Sequence, residues 1–308
     1  MDGAIRALSD LFGRTAFDGA KMKLDDLERR NEQARAQVAA FRRSAHPDRF
    51  GEIDAEFHKY KNGYPFYGHV PVIVGDIEIV MYCGNDDLVA LTYFWHGANS
   101  YEAGSLDIWL RLAKNAQNVL DVGAFSGLYS LVAASACPDA CIWAFEPSRR
   151  THGRLLLNAY INGYQKRIRA INNAVSNEVS ELRLMQFRGE NILGNGAAIV
   201  EKQLPVTDVT EVVGVIPLDD FCVSEGVRPD LLKIDVEGAE VMALEGMAEM
   251  LATDQPTMLV EVTPQTAKDV KAFLDRLGYK TCIVDDRTGV ISPYEGPISA
   301  VSNLYAER

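Results

Sequence analysis

No run in this 308-residue chain approaches the roughly 18 consecutive apolar residues that cross a bilayer. The N-terminal MDGAIRALSD also lacks the apolar core of a secretion signal. The expectation is a cytoplasmic protein with no membrane partner. Positive charge is scarce: 31 Lys and Arg stand against 43 Asp and Glu, a formal net charge of -12. Such a balance gathers no phosphate backbones, so nucleic acid is not an expected partner. Cysteine is sparse and odd in number, at Cys83, Cys137, Cys141, Cys222 and Cys282. Four of these sit in apolar or strand-like surroundings and read as reduced core thiols, not a disulfide framework. Cys137 and Cys141 have no further Cys or His at ligand spacing, so no zinc site is expected.

Also missing is GxGxxG, the glycine pattern of a dinucleotide site. What stands in that place is NVLDVGAFSGLYSLVAA, residues 118–134: an apolar strand runs through Asp121 into a turn that opens an apolar helix. Gly123 and Gly127 read as positions where backbone approaches a ligand too closely for a Cβ. The free N–H groups of the helix start point at whatever fills the crevice. The spacing is Asp-x-Gly-x-x-x-Gly, with Ala124 and Phe125 inside it. The Asp121 carboxylate would repel a pyrophosphate and suits an ammonium or a sulfonium, which makes a nicotinamide cofactor the second choice.

Glu146 closes the strand CIWAFEP, where an acidic side chain can accept from both hydroxyls of a ribose in either cofactor class. Pro147 ends the strand and Ser148 is placed to cap the next helix. A third strand-to-helix switch, LLKIDVEGAEVMALEGM at 231–247, gathers Asp235, Glu237 and Glu240.

With these motifs in view, the chain resembles the FkbM family of S-adenosylmethionine-dependent methyltransferases. It carries DVGA at Asp121–Ala124, FEP at Phe145–Pro147, LDD at Leu218–Asp220 and IDVEGAE at Ile234–Glu240. The resemblance covers roughly Tyr101 to Glu261 and departs at Phe125 and Ser126, where the family more often has Asn and then a small residue. It implies a Rossmann-like class I methyltransferase fold, S-adenosyl-L-methionine as cofactor, and O-methyl transfer to a hydroxyl of a small molecule or sugar, a natural product or glycan precursor. Glu102, in an SYE element similar to the family's YE, would then face the amino-acid end of the cofactor with Asp121. The expected cofactor site is Glu102, Asp121, Gly123, Ala124 and Gly127, together with Glu146, Pro147 and Asn173. Asn173 is taken over its neighbour Asn172 to read the adenine edge, a choice that strand parity does not decide.

A hydroxyl is a poor nucleophile near neutral pH, so a base or a metal should assist it. The candidate catalytic residues are Asp235, Glu237, Glu261 and His96. Asp235, Glu237 and Glu261 offer oxygens to a Mg²⁺, although no spacing demands the ion. Each also has a plainer reading: Glu237 and Glu240 at a helix start, Glu261 as a helix cap, His96 as a hydrogen-bonded loop histidine. A scaffold that keeps the fold without catalysis, and a nicotinamide-dependent oxidoreductase, remain as alternatives.

Strands expected over 118–122, 141–146, 168–174, 231–235, 257–262 and 279–284 alternate with helices over 127–136, 148–162, 239–251 and 265–277. That order predicts an α/β fold with a mostly parallel, doubly wound sheet, to which the tail ISAVSNLYAE adds an antiparallel edge strand. The polar segment 189–210 reads as a lid or a plain insertion. Residues 1–50 form a helical segment, 51–100 a small β cap with a hairpin at Gly75–Asp76, and 101–308 the cofactor domain. Leu24, Leu27, Asn31, Ala34, Val38 and Phe41 recur at spacings of three and four, which suits either a helix docked on its own domain or a homodimer seam. Tyr60, Tyr64, Phe66 and Tyr67 are either cap core or the lining of an acceptor pocket.

Overall fold

The computed structural model describes residues 24–44, 51–186, 193 and 209–308. Helix α1 (Leu24–Ser44) buries Asn31, Ala34 and Phe41, the stripe that the heptad spacing picks out. That stripe docks within the chain. Phe41 packs edge-on against Tyr60 at 5.3 Å and Trp95 at 5.5 Å. The Asn31 side chain donates to the Tyr67 carbonyl at 2.7 Å and accepts from the Tyr67 amide at 2.9 Å, so the one polar residue of the seam is satisfied by backbone. The face that suits a partner helix is therefore engaged intramolecularly.

Helix α2 (Ala55–Gly63) starts where the Asp54 side chain accepts from the Phe57 amide at 2.8 Å. Strands β1 (Gly68–Val74) and β2 (Ile77–Cys83) form the hairpin, with Gly75 at φ +55° in its two-residue turn. Helices α3 (Leu88–His96) and α4 (Ala103–Ala113) complete the extension. Of the four clustered aromatics, Phe66 and Tyr60 belong to the cap core, since Phe66 stacks on Phe94 at 4.2 Å and Tyr60 packs on Trp95, whereas Tyr64 is exposed. None of these four rings lines the cavity described below, which corrects the acceptor-pocket reading. Their spacing alone does not reveal that α1 and α3 cover them.

Next come β3 (Asn118–Val122), α5 (Leu128–Ala136), β4 (Cys141–Phe145), α6 (Arg149–Ile161) and β5 (Ile168–Ile171). Strands β6 (Ala174–Val175), β7 (Ser180–Gln186) and β8 (Val209–Ile216) form a separate small sheet in the order β6-β8-β7. The chain returns through α7 (Leu218–Glu225), β9 (Leu231–Ile234), α8 (Glu240–Glu245), α9 (Ala248–Thr253), β10 (Thr257–Val262) and α10 (Ala267–Arg276). It finishes with β11 (Lys280–Val284), β12 (Ile291–Pro293) and β13 (Ser302–Glu307). The main sheet has the order β12-β11-β13-β10-β9-β3-β4-β5. Strands β10, β9, β3, β4 and β5 are mutually parallel. This is a Rossmann-like α/β fold. The chain moves outward from β3 through β4 to β5 and then lays β9 and β10 on the other side, so the order reverses between β3 and β9. In such sheets ligands bind at the carboxyl ends of the strands at that reversal.

Three details differ from the expectation, and a fourth lies mostly outside the described residues. The tail strand β13 is antiparallel, but it lies between β10 and β11 and not at the edge. The strand expected over 168–174 stops at Ile171, because the chain crosses to the small sheet at Ala174. The helix expected over 239–251 breaks in two at Gly246, whose Cα lies so near Ser176 that a Cβ would stand 2.0 Å from its carbonyl oxygen. The segment read as a lid falls mostly outside the described residues; within it, Leu193 is buried and its amide donates to the Asp86 carbonyl at 2.6 Å. Among the described residues no helix is long and apolar enough to cross a membrane.

The extension is tied to the sheet domain through amide side chains in α6 and at its C-cap. Asn158 accepts from the Tyr82 amide at 2.8 Å, and Asn162 from the Val80 amide at 2.9 Å.

The glycines of the first turn are required by interior packing. At Gly123, φ +82°, a Cβ would stand 1.7 Å from the Asp235 carbonyl oxygen. At Gly127, φ +97°, it would meet the Leu155 side chain on α6 at 3.2 Å. Gly123→Ala is expected to cost at least about 3 kcal/mol in a denaturant titration, because backbone must move to admit the methyl. Gly163→Ala, at φ +76° with nothing near its Cβ position, is expected to lose only the roughly 1–2 kcal/mol of left-handed strain.

Candidate active site

A cavity of about 460 Å³ opens at the carboxyl ends of β3, β4 and β9, a size suited to a ligand of several hundred daltons. Of the residues expected to hold a cofactor, Glu102, Asp121, Gly123, Ala124, Glu146, Pro147 and Asn173 line it. Gly127 does not, which corrects the expectation; it turns the chain into α5. Of the catalytic candidates, Asp235 and Glu237 line it, and Glu261 and His96 do not.

Glu146 follows β4 directly and is held by two backbone donors, the Ser148 amide at 2.8 Å and the Phe125 amide at 3.1 Å. An ionised carboxylate has about four acceptor sites, so this buried group keeps capacity for two hydroxyls. Burial pushes its pKa from 4.5 to about 8, against the pull of those two amides. Asn172 is spent on structure, donating to the carbonyls of Glu146 and Pro147 at 2.9 Å and 2.7 Å, while Asn173 faces the cavity.

Asp121 lies in the middle of the sheet and accepts from the Ser130 hydroxyl at 2.6 Å. Burial lifts it to about 6. Glu102 reaches the same floor from the start of α4, where it accepts from the Tyr129 hydroxyl at 2.6 Å; burial raises it too. Glu237 stands beyond β9, raised by burial and by the nearby Asp235. Glu102, Phe125 and Glu237 have φ of 40°, 50° and 52°, and all three line the cavity. Left-handed backbone at non-glycine residues costs about 1–2 kcal/mol each and tends to collect at functional sites.

Lys233 is the residue that the sequence reading passes over. It is 1% exposed, lines the cavity floor and sits 5.0 Å from the centre of the Tyr129 ring. Burial alone would lower its pKa, but Asp235, Glu102, Glu261 and Asp121 outweigh that and hold it above 10.5. Its signal was present as the one charge inside the strand LLKI, since a buried lysine is rare without a purpose.

Glu261, on β10, is hydrogen-bonded to Asp235 and does not line the cavity; burial and Asp235 push it up to about 9. Among the described residues no group of three or more His, Cys, Asp or Glu is arranged to hold a metal ion. His96 is an internal pin. Its Nδ1 accepts from the Gly51 amide at 3.1 Å, its Nε2 faces the Glu52 carbonyl at 3.2 Å, and its ring stacks on Phe57. Burial lowers its pKa, so it stays neutral and holds 51–52 against α3.

Part of the remaining wall is aliphatic. Ile53, Leu88 and Val89 come from the extension, and Leu182, Leu184 and Val215 from the small sheet. The charge pattern is one-sided: six carboxyl side chains line the cavity, and among the described residues Lys233 is the one cation there. Such a lining favours a cationic ligand.

The sequence profile described as Methyltransferase FkbM domain matches residues 121–281. A curated relative, methyltransferase sdnD of Sordaria araneosa, is 29% identical over 158 residues, covering 42% of this chain and 60% of its own length. The chain thus spans less than two thirds of that relative. Among solved structures, methyltransferase FkbM from Methylobacillus flagellatus superposes with a TM-score of 0.42 at 17% identity, over 62% of this chain and 43% of that one. A SAM dependent methyltransferase from Agrobacterium tumefaciens gives 0.42 at 12% identity, over 78% and 69%.

Because Glu146 binds a proton more tightly folded than unfolded, its contribution to stability falls as pH rises from about 4.5 to about 8. Glu146→Gln is expected to remove that part of the slope, read from denaturant midpoints at a series of pH values.

Proposed function

The chain belongs to the Methyltransferase FkbM domain family, and from this we propose that it is an S-adenosylmethionine-dependent O-methyltransferase acting on a hydroxyl of a small molecule or sugar. The observation that carries this reading is the acidic cavity at the strand-order reversal, with a buried carboxylate that keeps two acceptor sites free. When bound, the cofactor supplies a methyl group on a positively charged sulfur, open to in-line displacement by an oxygen nucleophile.

Glu146 would accept from the two ribose hydroxyls, and Asn173 would meet the edge of the base. Glu102 and Asp121 would take the ammonium of the amino-acid end. Asp235 and Glu237 stand after β9, where a base is needed beside the acceptor. The upward shift of Glu237 brings its basicity closer to the operating pH, which favours proton removal. The aliphatic residues of the cap and the small sheet would exclude water and orient the acceptor. With no second cation in the described lining, an uncharged acceptor fits this wall better than a phosphorylated one. We place the protein in the cytoplasm, a reading supported by its five free thiols.

Calorimetry is expected to detect binding of S-adenosylmethionine or its demethylated product to the purified chain, and absence of heat with both would overturn the proposal. Glu146→Ala should weaken that binding by about 1.5–3 kcal/mol for each charged hydrogen bond lost. Glu237→Gln should keep the affinity and lower turnover of a methyl-labelled cofactor by roughly 100- to 10,000-fold.

A further inference from the structure

Lys233 lies in β9 directly opposite Asp121 in the β3 register. An ammonium this deep is ordinarily held in a tight ion pair with its three N–H groups satisfied. Here it is held loosely. Its one ion pair among the described residues is with Asp235 at 3.9 Å, and its hydrogen bond is to the Ile234 carbonyl at 3.3 Å. The acids around it are turned to other partners: Glu102 to the Tyr129 hydroxyl and the Asn303 amide, and Asp121 to the Ser130 hydroxyl. The floor of the cavity therefore holds a charged side chain with donors to spare.

A ligand bearing an ammonium and a carboxylate on one carbon faces opposite demands in this cavity. The ammonium is welcome almost anywhere along a lining of six carboxyl groups. The carboxylate is repelled by the same lining unless a cation lies within a few ångströms of it. Lys233 is the one cation that the described lining offers, and it stands beside Asp121 on the adjacent strand. The two side chains form a plus and minus pair that a zwitterion would match in reverse.

We propose that Lys233 binds the carboxylate at the amino-acid end of the cofactor, as a positioning residue that sets where the methyl group points. The inference rests on the cofactor reading given above. It gives this lysine a task beyond neutralising the buried acids, and it explains why evolution would leave its donors unpaired in the sheet. Its charge is maintained by Asp235, Glu102, Glu261 and Asp121, so it is cationic whenever the ligand arrives.

The test compares S-adenosylhomocysteine with its decarboxylated analogue by calorimetry on the full chain. Wild type is expected to bind the analogue roughly 10- to 100-fold more weakly, the size of one or two charge-assisted hydrogen bonds. Lys233→Gln should erase most of that preference by weakening S-adenosylhomocysteine alone. Equal wild-type affinity for the two compounds overturns the proposal, as does a preference undiminished in the variant, which would leave Lys233 a counter-ion of the buried acids. Binding of neither compound overturns the cofactor assignment and this inference with it. Should Lys233→Gln fail to fold, a crystal structure of wild type with S-adenosylhomocysteine decides: a carboxylate within about 3 Å of Nζ supports the proposal, and one bonded elsewhere overturns it.

Discussion

The contact on which the rest of this molecule depends is the approach of Gly123 to the Asp235 carbonyl. The turn that follows β3 is stitched on both sides. The amides of Gly123 and Ala124 donate to the Phe145 carbonyl at 2.9 Å, and the Asp235 amide donates to the Val122 carbonyl at 2.8 Å. Three strand ends are thereby fixed relative to one another with almost no freedom, and each delivers an acidic side chain to the same opening. Asp121, Glu146 and Asp235 converge because their backbones are bonded together. The geometry of the cavity follows from main-chain packing that a single methyl group would disturb.

Electrostatics then sets the character of that opening. Burial raises Glu102, Asp121, Glu146 and Glu261 above their ordinary values, so the free protein holds its acids partly against their preference. Lys233 offsets some of this from within the sheet. A cationic ligand would relieve more of it, and the relief would appear as added stability of the folded chain. The cap contributes differently: Leu88 and Val89 form the first turn of a helix whose start is fixed by the Asp87 side chain, and they add apolar wall to the cavity.

Much of this was legible in the sequence, for identifiable reasons. A buried parallel strand reads as an apolar run, so an acidic residue within it or at its end is conspicuous; Asp121, Glu146 and Asp235 stand out in this way, and the mostly parallel α/β class follows from the alternation of strands and helices. What stayed hidden depends on contacts between distant segments. The glycine turn suggests close approach but not to what, and Gly123 approaches a neighbouring strand. Glu261 looks equivalent to Asp235 at a strand end, but it hydrogen-bonds that residue and does not line the cavity. His96 has the chemistry of a base, and only the fold shows that both ring nitrogens face backbone. Asn31 marks the heptad seam as polar, and its partner, the Tyr67 backbone, lies 36 residues away. Lys233 was overlooked because a charge within four strand residues reads as an interruption of the pattern and not as its purpose.

The insertion of β13 between β10 and β11 also bears on how the molecule is made. Strands β10 and β11 are synthesised first, with an unfilled slot between them, and each exposes a row of unsatisfied amides and carbonyls until Ser302–Glu307 leaves the ribosome. The sheet is therefore completed from the inside. Until β13 is seated, the facing edges of β10 and β11 would offer a template to any extended peptide of matching register, an opening for aggregation.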